Sequence, residues 1–238
     1  MQYLALAKWI VLNDEKCSDR VKSRLHQLLG RLHTAEGKFE DAKTEFASSI
    51  FFSAKTYGAE AIATAIGYYN LGDVFIALGN IESALAFFDK VVDIWYKYLS
   101  GLHSQALNKM GGRFVETPDN MTPLGDLLPN EDPTEAQLTD GRNHLTQILD
   151  NRQRLLGDNH IATGEVQYSL GLFEFFILGN EEESARYMSV AHEIYQSQLG
   201  PSHASTLHVN AVLALVNQQL MEKEGGVLQP NRLSASIY

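Results

Sequence analysis

Apolar side chains fall along this chain in helix-length stretches set apart by glycine, asparagine and polar clusters, a pattern that predicts helices throughout. Ten are expected: Gln2–Asn13, Asp19–Thr34, Phe39–Tyr57, Glu60–Ala77, Ile81–Leu99, Leu102–Phe114, Thr134–Leu155, Ile161–Leu178, Glu181–Gln198 and His203–Lys223. They are expected to pair in sequence, Asp19–Thr34 with Phe39–Tyr57, Glu60–Ala77 with Ile81–Leu99, Leu102–Phe114 with Thr134–Leu155, and Ile161–Leu178 with Glu181–Gln198. The first helix then stands as half a pair and the last as a cap. Residues 115–133 interrupt this order with Pro118, Pro123, Pro129, the closing Pro133 and five acidic side chains, an insertion where a short turn would suffice. A flexible tail is expected over 224–238.

Two segments superpose without gaps. Leu28-Leu29-Gly30, Gly37-Lys38-Phe39-Glu40-Asp41-Ala42 and Phe46 return as Asn70-Leu71-Gly72, Gly79-Asn80-Ile81-Glu82-Ser83-Ala84 and Phe88, 42 residues on. The pattern has steric reasons. Leucine fills the space between two paired helices, Gly30 and Gly72 let them approach, alanine sits where the second crosses the first, and Phe46 and Phe88 pack against the next repeat. A third copy, Tyr168-Ser169-Leu170-Gly171, Leu178-Gly179-Asn180 and Ser184-Ala185, drifts by one residue in its first helix and one in its turn. Gly58 with Thr64, Gly157 with Thr163 and Gly200 with Thr206 share one corner spacing. There Asp158 and Ser202 are expected to cap the following helix, while His160 and His203 hold equivalent structural positions. Such a repeat resembles the tetratricopeptide (TPR) family in its longer, kinesin-light-chain-like form. The expected fold is all-α, a right-handed α-solenoid of TPR helix pairs over 1–223.

Charge narrows the partners. A formal net charge of −10 repels phosphate backbones and anionic lipid, so neither nucleic acid nor membrane is expected as a partner. The single cysteine, Cys17, forms no internal disulfide, which suits a reducing compartment. Tyr3, Leu4, Leu6, Trp9, Ile10 and Val11 crowd one short helix, and burying each is worth roughly 1.5–3 kcal/mol. Such a helix implies more protein ahead of it or a partner over it, so the chain is expected to be the later part of a longer architecture.

A closer resemblance rests on Phe39-Glu40-Asp41-Ala42-Lys43, Ile50-Phe51-Phe52-Ser53-Ala54, Tyr57-Gly58, Gly67-Tyr68-Tyr69-Asn70-Leu71 and Asp93-Ile94-Trp95-Tyr96-Lys97-Tyr98-Leu99. In this order they resemble the TPR region of the zinc finger MYND domain-containing protein 12 family, from about Tyr3 to Leu199. The MYND finger needs a cluster of Cys and His ligands that a one-cysteine chain lacks, so its role is not carried over. The resemblance implies a place in the axoneme of motile cilia and flagella, within cytoplasm and cytoskeleton. Its implied partners are an inner-arm dynein heavy chain, a tetratricopeptide repeat protein 29-like TPR protein and doublet microtubule proteins.

The residues themselves supply no reactive constellation. Of eight histidines none pairs at i, i+4; His26 with His33 and His203 with His208 have the wrong spacing for a shared metal. Gly111-Gly112 lacks the Lys-Ser/Thr of a phosphate loop. Catalytic, cofactor and metal sites are therefore not expected. Binding is, since the first helices of TPR pairs line a groove. Alignment on the glycines places Arg24, Gln27 and Arg31 there, followed by Tyr69, Asp73 and Ile76. The arginines suit a carboxylate and Tyr69 an anchor. Phe51, Phe52, Trp95, Tyr96 and Tyr98, on second helices, are expected in the core. The expected function is a docking subunit of a single-headed inner dynein arm, the alternative a kinesin-light-chain-like adaptor for peptide cargo.

Overall fold

The computed structural model describes residues 2–109 and 132–227, and every regular element among them is helical. In chain order these are α1 (Gln2–Asn13), α2 (Asp19–Ala35), α3 (Phe39–Tyr57), α4 (Ile62–Ala77), α5 (Ile81–Lys109), α6 (Glu135–Leu156), α7 (Ile161–Phe173, continued by a π-helical turn, Glu174–Leu178), α8 (Glu181–Leu199) and α9 (Ala204–Val227). No helix among the described residues is long and apolar enough to cross a membrane. Of the expected insertion only Asp132 and Pro133 are described; of the expected tail, the residues up to Val227 continue α9 and the rest lie outside the described residues.

Two expected helices are one. The break foreseen after Leu99 does not occur, and α5 runs through Ser100 and Gly101 to Lys109. Glycine stops a helix where the chain turns into the left-handed region, as Gly37, Gly58, Gly79, Gly157, Gly179 and Gly200 do. Gly101 is buried and has no such φ, so α5 continues.

Packing divides the chain into two units. The first holds α1 to α4, α5 up to Gly101 and α6 up to Ile148; the second holds α5 from Leu102, α6 from Leu149, and α7 to α9. In the first, glycine faces aromatic as the repeat requires. A Cβ on Gly30 would stand 2.6 Å from the Phe46 ring, and one on Gly72 would stand 2.5 Å from Phe88. Each phenylalanine therefore lies against the first helix of its own pair, whereas the expectation named its contact with the next repeat. Phe46 does both, clustering with Leu71 and Val74 of α4. Ala42 and Ala84 are fully buried at the crossings. Of the second-helix aromatics, Trp95 is core at 2% exposure, whereas Phe51 is 62% exposed, contrary to expectation. Its helix neighbour Phe52 takes the inward direction and stacks on His26.

Helix α1 is tied to this unit by charge. Lys8 donates to Glu45 at 2.9 Å, and the other oxygen of that carboxylate stands 2.6 Å from His26 Nδ1. Burial alone would raise the Glu45 pKa, but hydrogen bonds from His26 and Lys8 outweigh it and hold it below the usual 4.5. Because the folded-state value is depressed, this contribution is full above about pH 4.5 and is lost as pH falls through the lowered pKa. Glu45→Gln should raise hydrogen exchange in α1 by about tenfold, the equivalent of ~1.4 kcal/mol, with α4 unaffected. Unchanged exchange in α1 would refute the tie.

In the second unit the third repeat copy closes on Gly171, whose Cβ would stand 2.6 Å from Met188. Ser184, fully buried, takes the place of Ala42 and Ala84 and donates to the Gly171 carbonyl at 2.8 Å. With Ser184 rather than Ala185 in that place, the two expected drifts reduce to one extra residue between Gly171 and Gly179. The π-helical turn absorbs it.

The three corners share one hydrogen bond. Thr64, Thr163 and Thr206 each donate a side-chain hydroxyl to the carbonyl of Gly58, Gly157 and Gly200, at 2.9 Å in every case. The caps differ from expectation. His160 and His203 accept through Nδ1 from the backbone N–H of Ala162 and Ser205, at 3.1 and 3.2 Å. Asp158 instead accepts from Gln153. An imidazole fits because the corner holds its residue extended, with the ring over the first turn. Thr163→Val keeps the shape of a fully buried side chain and removes its part-buried bond to the Gly157 carbonyl, so a loss of about 1 kcal/mol is expected in denaturant unfolding. A neutral result would make the corner bond incidental.

Candidate docking groove

Within the first unit, α2, α4 and the front half of α6 enclose a cavity of about 400 Å³ over a floor from α3 and α5. Helix α2 carries Arg20, Ser23, Arg24 and Gln27 to it at spacings of three and four, so they share one helix face. Helix α4 contributes Ile66 and Gly67, and α6 contributes Gln137, Asp140, Gly141 and His144. The floor is polar but satisfied. Ser23 and Ser49 each donate to the other's backbone carbonyl, at 2.9 and 3.0 Å, and Ser53 meets the Thr64 hydroxyl at 2.9 Å.

Helix α6 reaches this position for three reasons. Thr134 and Gln137 form a reciprocal cap, the threonine hydroxyl accepting from Gln137 N–H at 3.3 Å and the glutamine oxygen accepting from Thr134 N–H at 2.9 Å. Gly141 then admits the Trp95 ring, which a Cβ there would meet at 2.0 Å. Finally His144 stacks on Tyr69, centroids 3.9 Å apart and planes 12° from parallel. The helix was expected wholly as the second member of a pair. Its last turn does end at a second-helix corner, Gly157 with Thr163, but its first half lines the groove.

Of the six residues expected in the groove, Arg24 and Gln27 line the cavity; Gln27 is buried and accepts from the Arg24 guanidinium. Arg31 is exposed and acts on His144. Tyr69 is not a free anchor. It is buried, its ring is covered by His144, and its hydroxyl donates to Gln147. Burial, with the Asp73 carboxylate beside it, pushes the Tyr69 pKa up, so the phenol keeps its proton. Asp73 is itself exposed, with a pKa raised by its partly desolvated setting. Ile76 is half-buried and lies outside the cavity lining.

Burial lowers the His144 pKa to about 4; Asp140 opposes that shift and Arg31 adds to it. The imidazole is therefore neutral at physiological pH, which suits stacking on a phenol ring. Arg20, Asp140 and His144 were absent from the expected set. A helical glycine at 141, in the role Gly67 plays against Ile50, was the available signal for all of α6. Among the described residues no group of three or more His, Cys, Asp or Glu is placed to hold a metal ion.

Comparison with known proteins bears on the repeat. A tetratricopeptide-repeat family model matches residues 23–97. Clustered mitochondria protein homologs are similar, 23% identical over 89% of this chain in Aspergillus niger and 24% over 87% in Emericella nidulans. The chain spans only 16% of the length of either relative. Among solved structures, TPR-like repeats of a putative kinesin light chain from Podosopora anserina align over 86% of this chain and 91% of that one, at 19% identity and a TM-score of 0.32. BtubC (BKLC) from P. vanneervenii covers 100% and 94% of the two chains, at 13% identity and a TM-score of 0.31. Helix pairs closed by glycine against an aromatic, together with the matched repeat, place the fold in the all-α TPR solenoid class. Its chemistry is that of a protein-interaction scaffold.

Proposed function

We propose that this scaffold is an accessory, docking subunit of a single-headed inner dynein arm in the axoneme of motile cilia and flagella. The observation that carries the reading is the run from Phe39 to Leu99. Its order of aromatics and small residues resembles the zinc finger MYND domain-containing protein 12 family beyond what repeat sterics demand. Gly30, Gly72, Phe46 and Phe88 are explained by helix packing, whereas exposed Phe51 and half-buried Tyr96 and Tyr98 have no such need. Side chains of that kind outside the core suit contact with other proteins. In this reading the partners are an inner-arm dynein heavy chain and a second TPR protein, with doublet microtubule proteins nearby. The chain catalyses nothing and works in the cytoskeleton.

Co-purification tests the reading. The tagged protein, expressed in a ciliated cell and extracted from demembranated axonemes, should bring down an inner-arm dynein heavy chain in stable ratio. Loss of that chain on mild salt washing, with no dynein retained, would contradict it. The second reading, an adaptor that captures peptide cargo, is favoured by one observation, the cavity framed by α2, α4 and α6. Micromolar binding of a free peptide to the isolated protein, without dynein association, would support that reading over the first.

A further inference from the structure

The walls of the groove differ in charge. Helix α2 brings Arg20 and Arg24 to the cavity, and α6 brings Asp140 to the same space. None of these three forms an ion pair among the described residues, and the hydrogen bond of Arg24 goes to the neutral oxygen of Gln27. Some exposed charges elsewhere on the chain do find partners, as Lys90 and Lys97 do with Glu60 and as Lys223 does with Glu181. Two guanidiniums and one carboxylate facing a common cavity, yet unpaired within the fold, form a field with direction. A purely acidic ligand would meet Asp140, and a purely basic one would meet the arginines.

We propose that the cavity takes an extended partner segment of mixed charge, with an Asp or Glu side chain turned to Arg20 and Arg24 and a Lys or Arg side chain turned to Asp140. The inference rests on the scaffold reading and adds the ligand's chemistry and its orientation. Guanidiniums favour carboxylates through paired, charge-assisted hydrogen bonds, so the α2 wall reads the acidic position most strictly. The half-buried apolar side chain of Ile66 between the walls suits the chain that joins the two charges.

A random dodecapeptide library displayed on phage, selected on the full chain, tests it. Enriched sequences should carry an acidic and a basic residue at a recurrent separation. Arg20→Gln with Arg24→Gln should weaken a selected synthetic peptide by about tenfold or more in fluorescence polarisation. Asp140→Lys should abolish the preference for the basic residue while leaving the acidic one. All three positions are exposed, so circular dichroism should stay unchanged and any fall in melting temperature should be limited to the lost bond from Arg24 to Gln27. Enrichment of acidic-only, basic-only or uncharged sequences would overturn the inference, as would no enrichment or binding indifferent to these substitutions. Loss of the ligand rule with dynein retained in co-purification would leave the docking role standing. Selection as expected with dynein absent would do the reverse.

Discussion

Phe88→Ala is expected to cost about 3–5 kcal/mol, the range for removing a fully buried aromatic ring. The ring is 0% exposed, and the backbone of α4 passes it at Gly72, leaving no side chain able to swing into the void. Partial collapse would require α4 and α5 to move together, and Tyr69, three residues before Gly72 on α4 and stacked on Phe88, would lose part of its support. Equilibrium denaturation followed by the fluorescence of buried Trp95 reads this unit. The same contact predicts a coupling. Gly72→Ala places a Cβ 2.5 Å from the ring in the native chain and should destabilise by roughly 1–3 kcal/mol. In a Phe88→Leu background the same glycine change should cost much less, because a smaller, flexible side chain can give way. Additive effects would show that the helices do not meet through this pair.

Acid should weaken the fold well above the carboxylate range. His144 in the first unit and His103 in the second both have pKa values held down to about 4, each first by burial; His208 lowers His103 further, and Arg31 adds to the effect on His144 against Asp140. Their ordinary value is 6.5. Between these values the unfolded chain binds more protons than the folded one, so stability falls as pH drops from about 6.5 to about 4 and levels off below. By pH 5 each histidine should contribute a loss on the order of 2 kcal/mol. Urea unfolding at pH 7.5 and pH 5.0 measures it. His144→Phe keeps an aromatic face toward Tyr69 and removes the proton, so its loss between the two pH values should be smaller by that amount; His103→Phe should behave likewise. A flat profile in the native chain, or an unchanged slope in both variants, would contradict the assignment. The Glu45 tie is lost only below the usual glutamate range, so it stays intact at both pH values compared.

Steric rules made much of the fold legible in the amino-acid order. Gly30 with Phe46 and Gly72 with Phe88 announce helix pairs because little else explains a helical glycine at a fixed distance from an aromatic. The Gly-to-Thr corner spacing pointed to a real hydrogen bond at all three positions. What it hid was the capping group, since spacing does not show that His160 turns Nδ1 onto its own helix start in place of Asp158. The continuity of α5 was hidden too, because Gly101 reads as a stop unless its φ is known. In the third repeat the extra residue was visible, but a π-helical turn has no sequence mark, so it was assigned to two places. The α2 and α4 sides of the groove followed from alignment, which brought Arg24 and Gln27 to the cavity. Tyr69 was placed on the right face with the wrong freedom, because its cover, His144, comes from a helix whose ending looks like that of a second member. Side chains that depend on which half of a helix meets which neighbour, Asp140 and His144 above all, are not fixed by repeat spacing.

Cross-linking mass spectrometry on intact, demembranated axonemes tests the docking role most directly. The expected result is cross-links from lysines of this chain to an inner-arm dynein heavy chain and to a second TPR protein. Cross-links to cytoplasmic cargo complexes alone, with none to dynein or doublet proteins, would contradict it.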